Sequence, residues 1–335
     1  MKTYISHRLS VFLIIFISAS ISIFAQDATG IFFKVTKPGM KAPSYLLGSM
    51  HNISASFLPQ ITGYEKAYAE VTRVCIETDI NKSGESLKED NERTRRFTSQ
   101  LATAQLQANS LQQLKLPFDS TFVMVLGEEK LAQLDSMIKS VLPDAYKAVI
   151  PTVNNVHPVM LRALVDQIIT AMALSGETND GTSIDMHIFN QGAADGRHQT
   201  YLEPVALQDS LLVAMQINNV EKMIADSERP LPVQMNELYE EYKSLGKKAE
   251  VTSRFIEAYK SGDAQGVIDY FKASDTPAKL DVEKRNREWM KLLPTVLTEE
   301  PTLVAVGFAH LYPYRSAKGL IKDLQEAGFT LEKLF

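Results

Sequence analysis

The sequence predicts an α/β protein with a largely parallel central sheet of two related halves and a helical insertion between them. Three observations carry that expectation. Two apolar runs far apart in the chain each close on Gly-x-x-His: Tyr45-Leu46-Leu47-Gly48-Ser49-Met50-His51 and Leu303-Val304-Ala305-Val306-Gly307-Phe308-Ala309-His310. Short apolar runs bounded by glycine read as buried strands. The stretch from Ser44 to Ile76 reads strand, helix, strand with short loops, a βαβ unit whose strands should be parallel neighbours. From about residue 81 to 180 strand-like runs vanish and helical spacing replaces them.

Taken in order, Ile31 to Val35 is a first strand, followed by the turn Lys37-Pro38-Gly39. Ser44 to Gly48 is the second, with His51 beyond it. Leu58-Pro59 opens a helix to about Glu70, and Arg73 to Ile76 is a third strand with Glu77 at its carboxyl end. In the helical region Leu131, Leu134 and Ile138 recur on one face, and Met160 to Leu174 is a more apolar helix. Lys88 to Arg96 is charged all round and reads as a solvated face.

Thr182-Ser183 caps a helix over Ile184 to Phe189, with Asp185 as a first-turn acid. Thr200 to Glu203 is a short strand ending in an acid, and Pro204 opens the next helix. Residues 208–270 are helical, with breaks expected at Pro230, Pro232 and Gly246. Val282 to Leu293 forms a polar helix carrying Arg285, Asn286 and Trp289. Thr302 to Val306 is the strand that delivers His310, a helix follows from Ser316 to Ala327, and Phe329 to Leu331 is a last strand. Open α/β sheets place ligands outside the carboxyl ends of their strands. His51, Glu77 and His310 are therefore expected to share one crevice.

The amino terminus is set apart. Lys2 and Arg8 precede an unbroken run of apolar and small residues from Val11 to Phe24, and Ala25 is a small residue suited to cleavage. These are the three parts of a secretory signal, which places residues 1–25 as a signal peptide and 26–335 as a single α/β domain. The mature chain is then secreted or periplasmic. An uncleaved anchor is the alternative, although the run is short for a span of about 20 residues. Losing Lys2 and Arg8 moves the formal charge from −5 to −7. That acidity argues against nucleic acid. The single cysteine, Cys75, forms no internal disulfide and sits in the apolar run Val74-Cys75-Ile76, which reads as a buried, inert thiol.

Gly48-Ser49-Met50-His51, Glu77 after Val74-Cys75-Ile76, and Val306-Gly307-Phe308-Ala309-His310-Leu311 together resemble the TraB/GumN family, which includes the Tiki metalloproteases. Gly181 to Asp185, Tyr201-Leu202-Glu203, and Arg285-Asn286 with Trp289 extend the resemblance to most of the chain beyond Ser44. It implies an erythromycin-esterase-like, Tiki-like fold and a metal-dependent peptidase that acts on a peptide or protein substrate. Neither nucleic acid nor membrane is implied for the mature form, and a homodimer is compatible with it. One departure stands out. Where the family usually has Leu-x-Gly and an acidic, glycine-rich loop, this chain has Leu311-Tyr312-Pro313-Tyr314-Arg315.

The residues suit that chemistry. Two imidazoles and a carboxylate, here His51, His310 and Glu77, are a common set for a catalytic divalent ion such as Mn, Co or Zn. Glu203 reads as a general base, or as an acid favoured by the following helix dipole. Arg285 or Asn286 would stabilise an oxyanion, or simply form part of a solvated ion pair. Glu77 could instead be a strand-end acid paired with Arg73 or Arg285, and the two histidines could merely tie loops together. Trp289 at helical spacing reads as core, His157 as a local cap, His187 as a mid-helix residue and His198 as a loop residue. The chain has no HExxH helix, Gly-x-Ser-x-Gly elbow or phosphate-binding glycine loop. Three other readings stay open: a haem or iron binder using the same two histidines, a metal-free esterase with His51 as base, and an inactive scaffold.

Overall fold

The computed structural model describes residues 29–335 except 52, 83–87, 89–91, 113–115, 118, 148–152, 175–181, 274–280 and 314–315. The expected signal peptide and the Tyr314-Arg315 part of the unusual loop lie outside the described residues. Among the described residues there are six strands: β1 (Phe32–Thr36), β2 (Ser44–Ser49), β3 (Arg73–Ile76), β4 (His198–Tyr201), β5 (Thr302–Gly307) and β6 (Thr330–Lys333). The helices are α1 (Tyr64–Glu70), α2 (Glu92–Gln112), α3 (Phe122–Val141), α4 (Asp144–Lys147), α5 (Pro158–Leu174), α6 (Ile184–Ala194), α7 (Val205–Ser227), α8 (Leu231–Tyr242), α9 (Leu245–Lys260), α10 (Ala264–Ala273), α11 (Val282–Trp289), α12 (Leu293–Glu299) and α13 (Leu320–Glu326).

The sheet order is β4-β3-β5-β2-β1-β6. The four strands β4, β3, β5 and β2 are mutually parallel, and β1 runs antiparallel to both β2 and β6. An α/β fold with a mostly parallel sheet is thus what the chain forms. The expected pairing of β2 with β3 is corrected. They are parallel but not neighbours, because β5 lies between them, with Leu46 opposite Val304 and Val74 opposite Leu303. The crossover through α1 leaves a slot one strand wide, and the most apolar late run fills it. Every residue of β2 is buried, as are five of six in β5, which is why both read as continuous apolar runs.

Several boundaries move for backbone reasons. Leu58-Pro59 falls inside a 3-10 turn over Ala55–Gln60, and α1 starts only after Gly63, held at φ 83. The strand expected over Thr200 to Glu203 is shifted: β4 starts at His198, while Leu202 and Glu203 lie past its end, donating their backbone N–H groups to Glu77 O at 3.1 and 2.9 Å. The break expected at Gly246 falls slightly earlier, at Lys243-Ser244 between α8 and α9, and a further turn follows α9 at Gly262, where φ is 72. The helix expected from Ser316 begins at Leu320, after Gly319 at φ 88. Left-handed backbone of this kind is where glycine is favoured.

One apolar core covers the sheet, from Phe32 and Leu46 to Trp289 and Leu324. A second gathers Phe122, Leu134, Ile138, Leu161, Val165, Met235, Leu238 and Tyr242. The helices of residues 122–174 therefore pack with α8 and the start of α9, well beyond the stretch expected to form the insertion. No described helix is long and apolar enough to cross a membrane. Burial pushes the Cys75 thiol up to about 12, so it stays protonated and unreactive.

Candidate functional site

The carboxyl ends of β3, β5 and β2 stand side by side and deliver Glu77, His310 and His51 respectively. Each glycine of the two repeated motifs has a local reason. A Cβ on Gly48 would lie 2.7 Å from Leu311 Cδ2 and 3.3 Å from the Phe308 backbone, so the first motif packs directly against the second. A Cβ on Gly307 would lie 3.2 Å from Glu77 Oε1, and the Gly307 N–H donates to that same oxygen at 2.7 Å. Glycine lets the backbone itself serve as a ligand for the carboxylate.

At the centre lies Arg285, on α11. Its Nε donates to Glu203 Oε2 at 2.9 Å, and Nη2 donates to Glu203 Oε1 at 2.7 Å and to Glu77 Oε2 at 2.6 Å. Nη1 faces His310 Nε2 at 3.1 Å. The expectation of a solvated ion pair on a charged helix is corrected: Arg285 is only 5% exposed, and Asn286 is buried with it. Asp281, at φ 42, caps α11 through the Lys284 N–H. The helix then turns its two polar residues and Trp289 inward onto the strand ends. Glu77 is indeed paired with Arg285, while Arg73 goes to Glu299 and Glu300 at the opposite edge of the sheet.

Asn286 fixes the state of His310. Its Nδ2 donates to the His310 carbonyl at 3.0 Å, which turns its Oδ1 to the ring at 2.6 Å from Nδ1. Nδ1 therefore carries the proton and Nε2 keeps its lone pair, accepting from Arg285. Burial drives the ring towards neutrality, outweighing the attraction of Glu77, and lowers its pKa to about 4. Trp289 lies against His310 with ring centroids 4.2 Å apart and the planes tilted by 32°, and donates its Nε1–H to Glu203 at 3.0 Å. It is core, as expected, and also part of the site, which spacing alone did not reveal.

Glu77 is held as a carboxylate. Burial works against its charge, but His310, Arg285, His51 and the Gly307 N–H outweigh that and lower its pKa to about 2. With His310 neutral near pH 7, Arg285 carries most of this effect, followed by protonated His51 and the Gly307 N–H. His51 stands at the rim with its side chain 65% exposed, and its Nδ1 lies 2.8 Å from Asp185 Oδ2. The hydrogen bond to Asp185 raises its pKa to about 9. Water around the exposed ring weakens that pairing. His51 is close enough to His310, Glu77 and Arg285 for their charges to be felt. Asp185 was expected only as a first-turn acid; it also accepts from the Ser49 hydroxyl.

Two other described histidines have local partners away from the site. His157 accepts from the Val159 N–H at a helix start, and His198 pairs with Glu300 at the far edge. Tyr312, in the departing loop, is tied to the residues just ahead of β1 and packs against Phe308. Its buried hydroxyl donates to Gly30 O and accepts from Gly30 N, both at 2.6 Å.

A divalent ion would use Nε2 of each imidazole together with Glu77. The donor chemistry suits it, because each ring is anchored through Nδ1, as metal-binding histidines are, and Glu77 is anionic. In this arrangement Arg285 takes His310 Nε2 and Glu77 Oε2, and no cluster of three or more metal-type side chains poised around an ion occurs among the described residues.

Fold and site thus define a mixed α/β protein with a buried ionic cluster at the ends of parallel strands. The chain matches the TraB/PrgY/gumN family over residues 31–333, nearly its whole length, and belongs to that family. No curated protein and no solved structure matches it.

Proposed function

We propose that this chain is an exported metal-dependent hydrolase that cleaves peptide bonds. One observation carries the reading: three contiguous parallel strands bring two Nδ1-anchored imidazoles and an anionic Glu77 to one edge, beside a buried guanidinium. His51, His310 and Glu77 would hold the ion, with Mn, Co or Zn as candidates. Such an ion lowers the pKa of water and polarises a carbonyl.

The chain's own residues supply the rest. Arg285 Nη2 bridges two carboxylates of unequal access: the Glu77 side chain is 12% exposed and that of Glu203 is 3%. Glu77 therefore faces the substrate side. Glu203, which already accepts three N–H groups, serves chiefly as the counter-charge that fixes Arg285. This shifts the general-base role away from Glu203. Arg285 places a permanent positive charge where negative charge develops on a carbonyl oxygen. Asn286 keeps His310 in the tautomer that offers Nε2.

A second reading has its own observation. Arg285 already satisfies His310 and Glu77, and Asp185 orients the exposed His51 ring through Nδ1; with its pKa raised to about 9, that ring would serve as a metal-free general base at alkaline pH. The haem reading finds less support, since His310 is enclosed by Arg285, Glu77, Asn286 and Trp289 and not by an apolar slot.

Elemental analysis of the purified protein and a peptide-library digest with and without chelator decide between these. The proposal expects bound metal, chelator-sensitive cleavage, and loss of both in His51→Ala and His310→Ala. Cleavage that survives chelation supports the metal-free esterase or peptidase, and cleavage unchanged in the double variant ends both.

A further inference from the structure

The segment before α6 reaches the site from outside the repeated motifs. Helix α6 lies against β3, where Gly192 allows close approach: a Cβ there would come within 2.5 Å of Val74 Cγ2. Ile184 and Ile188 are fully buried beneath it. The start of the helix is sewn to the loop after β2. The Ala55 N–H donates to Thr182 O at 3.0 Å, and Ser54 and Ser183 form an isolated antiparallel bridge. Ser183 also caps α6 through the Met186 N–H. These contacts fix the carboxylate of Asp185 at the carboxyl end of β2.

Both of its oxygens are engaged there. Oδ1 accepts from the buried Ser49 hydroxyl and Oδ2 faces His51 Nδ1 at 2.8 Å. Beside it, Tyr259 donates its hydroxyl to Gly48 O at 2.8 Å, holding the backbone of the same strand end. A helix acid acting only on the dipole needs neither partner. A long, 65% exposed imidazole with no other anchor would sample many orientations.

We propose that Asp185 is a positioning residue for His51: with Ser49 fixing the plane of its carboxylate, it sets the ring's orientation and reserves Nε2 for the ion or the reacting proton. The second half of this assignment rests on the hydrolase reading above; the first half does not. A carboxylate on the far nitrogen of a working histidine is worth about 10–100-fold in metal affinity or activity.

The test is proton and nitrogen NMR of the full chain labelled at histidine, which has only six such residues. A hydrogen-bonded Nδ1–H resonance, assigned to His51 by its loss in His51→Ala, is expected in the wild type and lost in Asp185→Asn, with the His310 signals unmoved. Mn²⁺ affinity measured calorimetrically, or turnover, should fall 10–100-fold in Asp185→Asn. If that variant fails to fold, Ser49→Ala frees only the other oxygen and must still shift the His51 resonance. A His51 resonance indifferent to both substitutions overturns the assignment. A wild type that neither takes up Mn²⁺ nor hydrolyses peptides defeats the hydrolase reading alone, since the ring signal still reports on Asp185.

Discussion

Replacing Arg285 by Met should be among the most damaging single changes in the molecule, and its cost should depend on pH. The guanidinium donates to Glu203 twice and to Glu77 once, and it caps His310 Nε2. Met fills much of the volume but leaves two buried carboxylates without a counter-charge. Breaking a buried ion pair from one side costs about 3–5 kcal/mol, against a total stability of order 5–15 kcal/mol. Without Arg285, burial is no longer offset by the guanidinium and favours protonation of Glu77 in the folded state. The folded variant then binds more protons than the unfolded chain, so its stability falls as pH rises. Urea unfolding followed by the fluorescence of Trp289, the sole tryptophan, should show a larger loss at pH 8 than at pH 5. Arg285→Lys, which restores one charge but not the fork, should recover part of it. A loss below about 1 kcal/mol, or one equal at both pH values, would refute the claim that Arg285 neutralises a buried carboxylate pair.

His310 predicts an acid-sensitive window. Its folded pKa is lowered from 6.5 to about 4, so the unfolded chain binds the extra proton between those values and stability falls as pH drops through them. The loss should be roughly 3 kcal/mol, read as the difference between wild type and His310→Gln in urea unfolding from pH 7 to pH 4. Gly48→Ala should cost about 1–3 kcal/mol by overpacking, since its Cβ meets Leu311 and the Phe308 backbone; calorimetric melting measures it. Chelation of the purified protein should abolish peptide cleavage, and added Mn²⁺ should restore it.

The sequence made the site's strands legible and hid their order. Buried parallel strands keep both faces apolar, so β2 and β5 announced themselves, as did the residues beyond their ends. That β5 slips between β2 and β3 depends on pairing across more than 200 residues, which no local pattern records. Arg285 and Asn286 were singled out, yet their burial was not legible. Helix α11 is almost wholly polar, and its inward face is defined by Glu77, Glu203 and His310 rather than by apolar residues. Asp185 was hidden by its second role, because a first-turn acid after a serine cap is already explained locally. Trp289 combined two roles in the same way, burying its ring in the core while its N–H holds Glu203.

The central claim is that His51 and His310 act on one ion at the edge where β2 and β5 end. Trp289, its ring centroid 4.2 Å from that of His310, makes a direct reporter. Titration of the full chain with Co²⁺ should quench its fluorescence at one equivalent, and neither His51→Ala nor His310→Ala should respond. Quenching that persists in both variants, or a wild type that takes up no Co²⁺, would contradict the account.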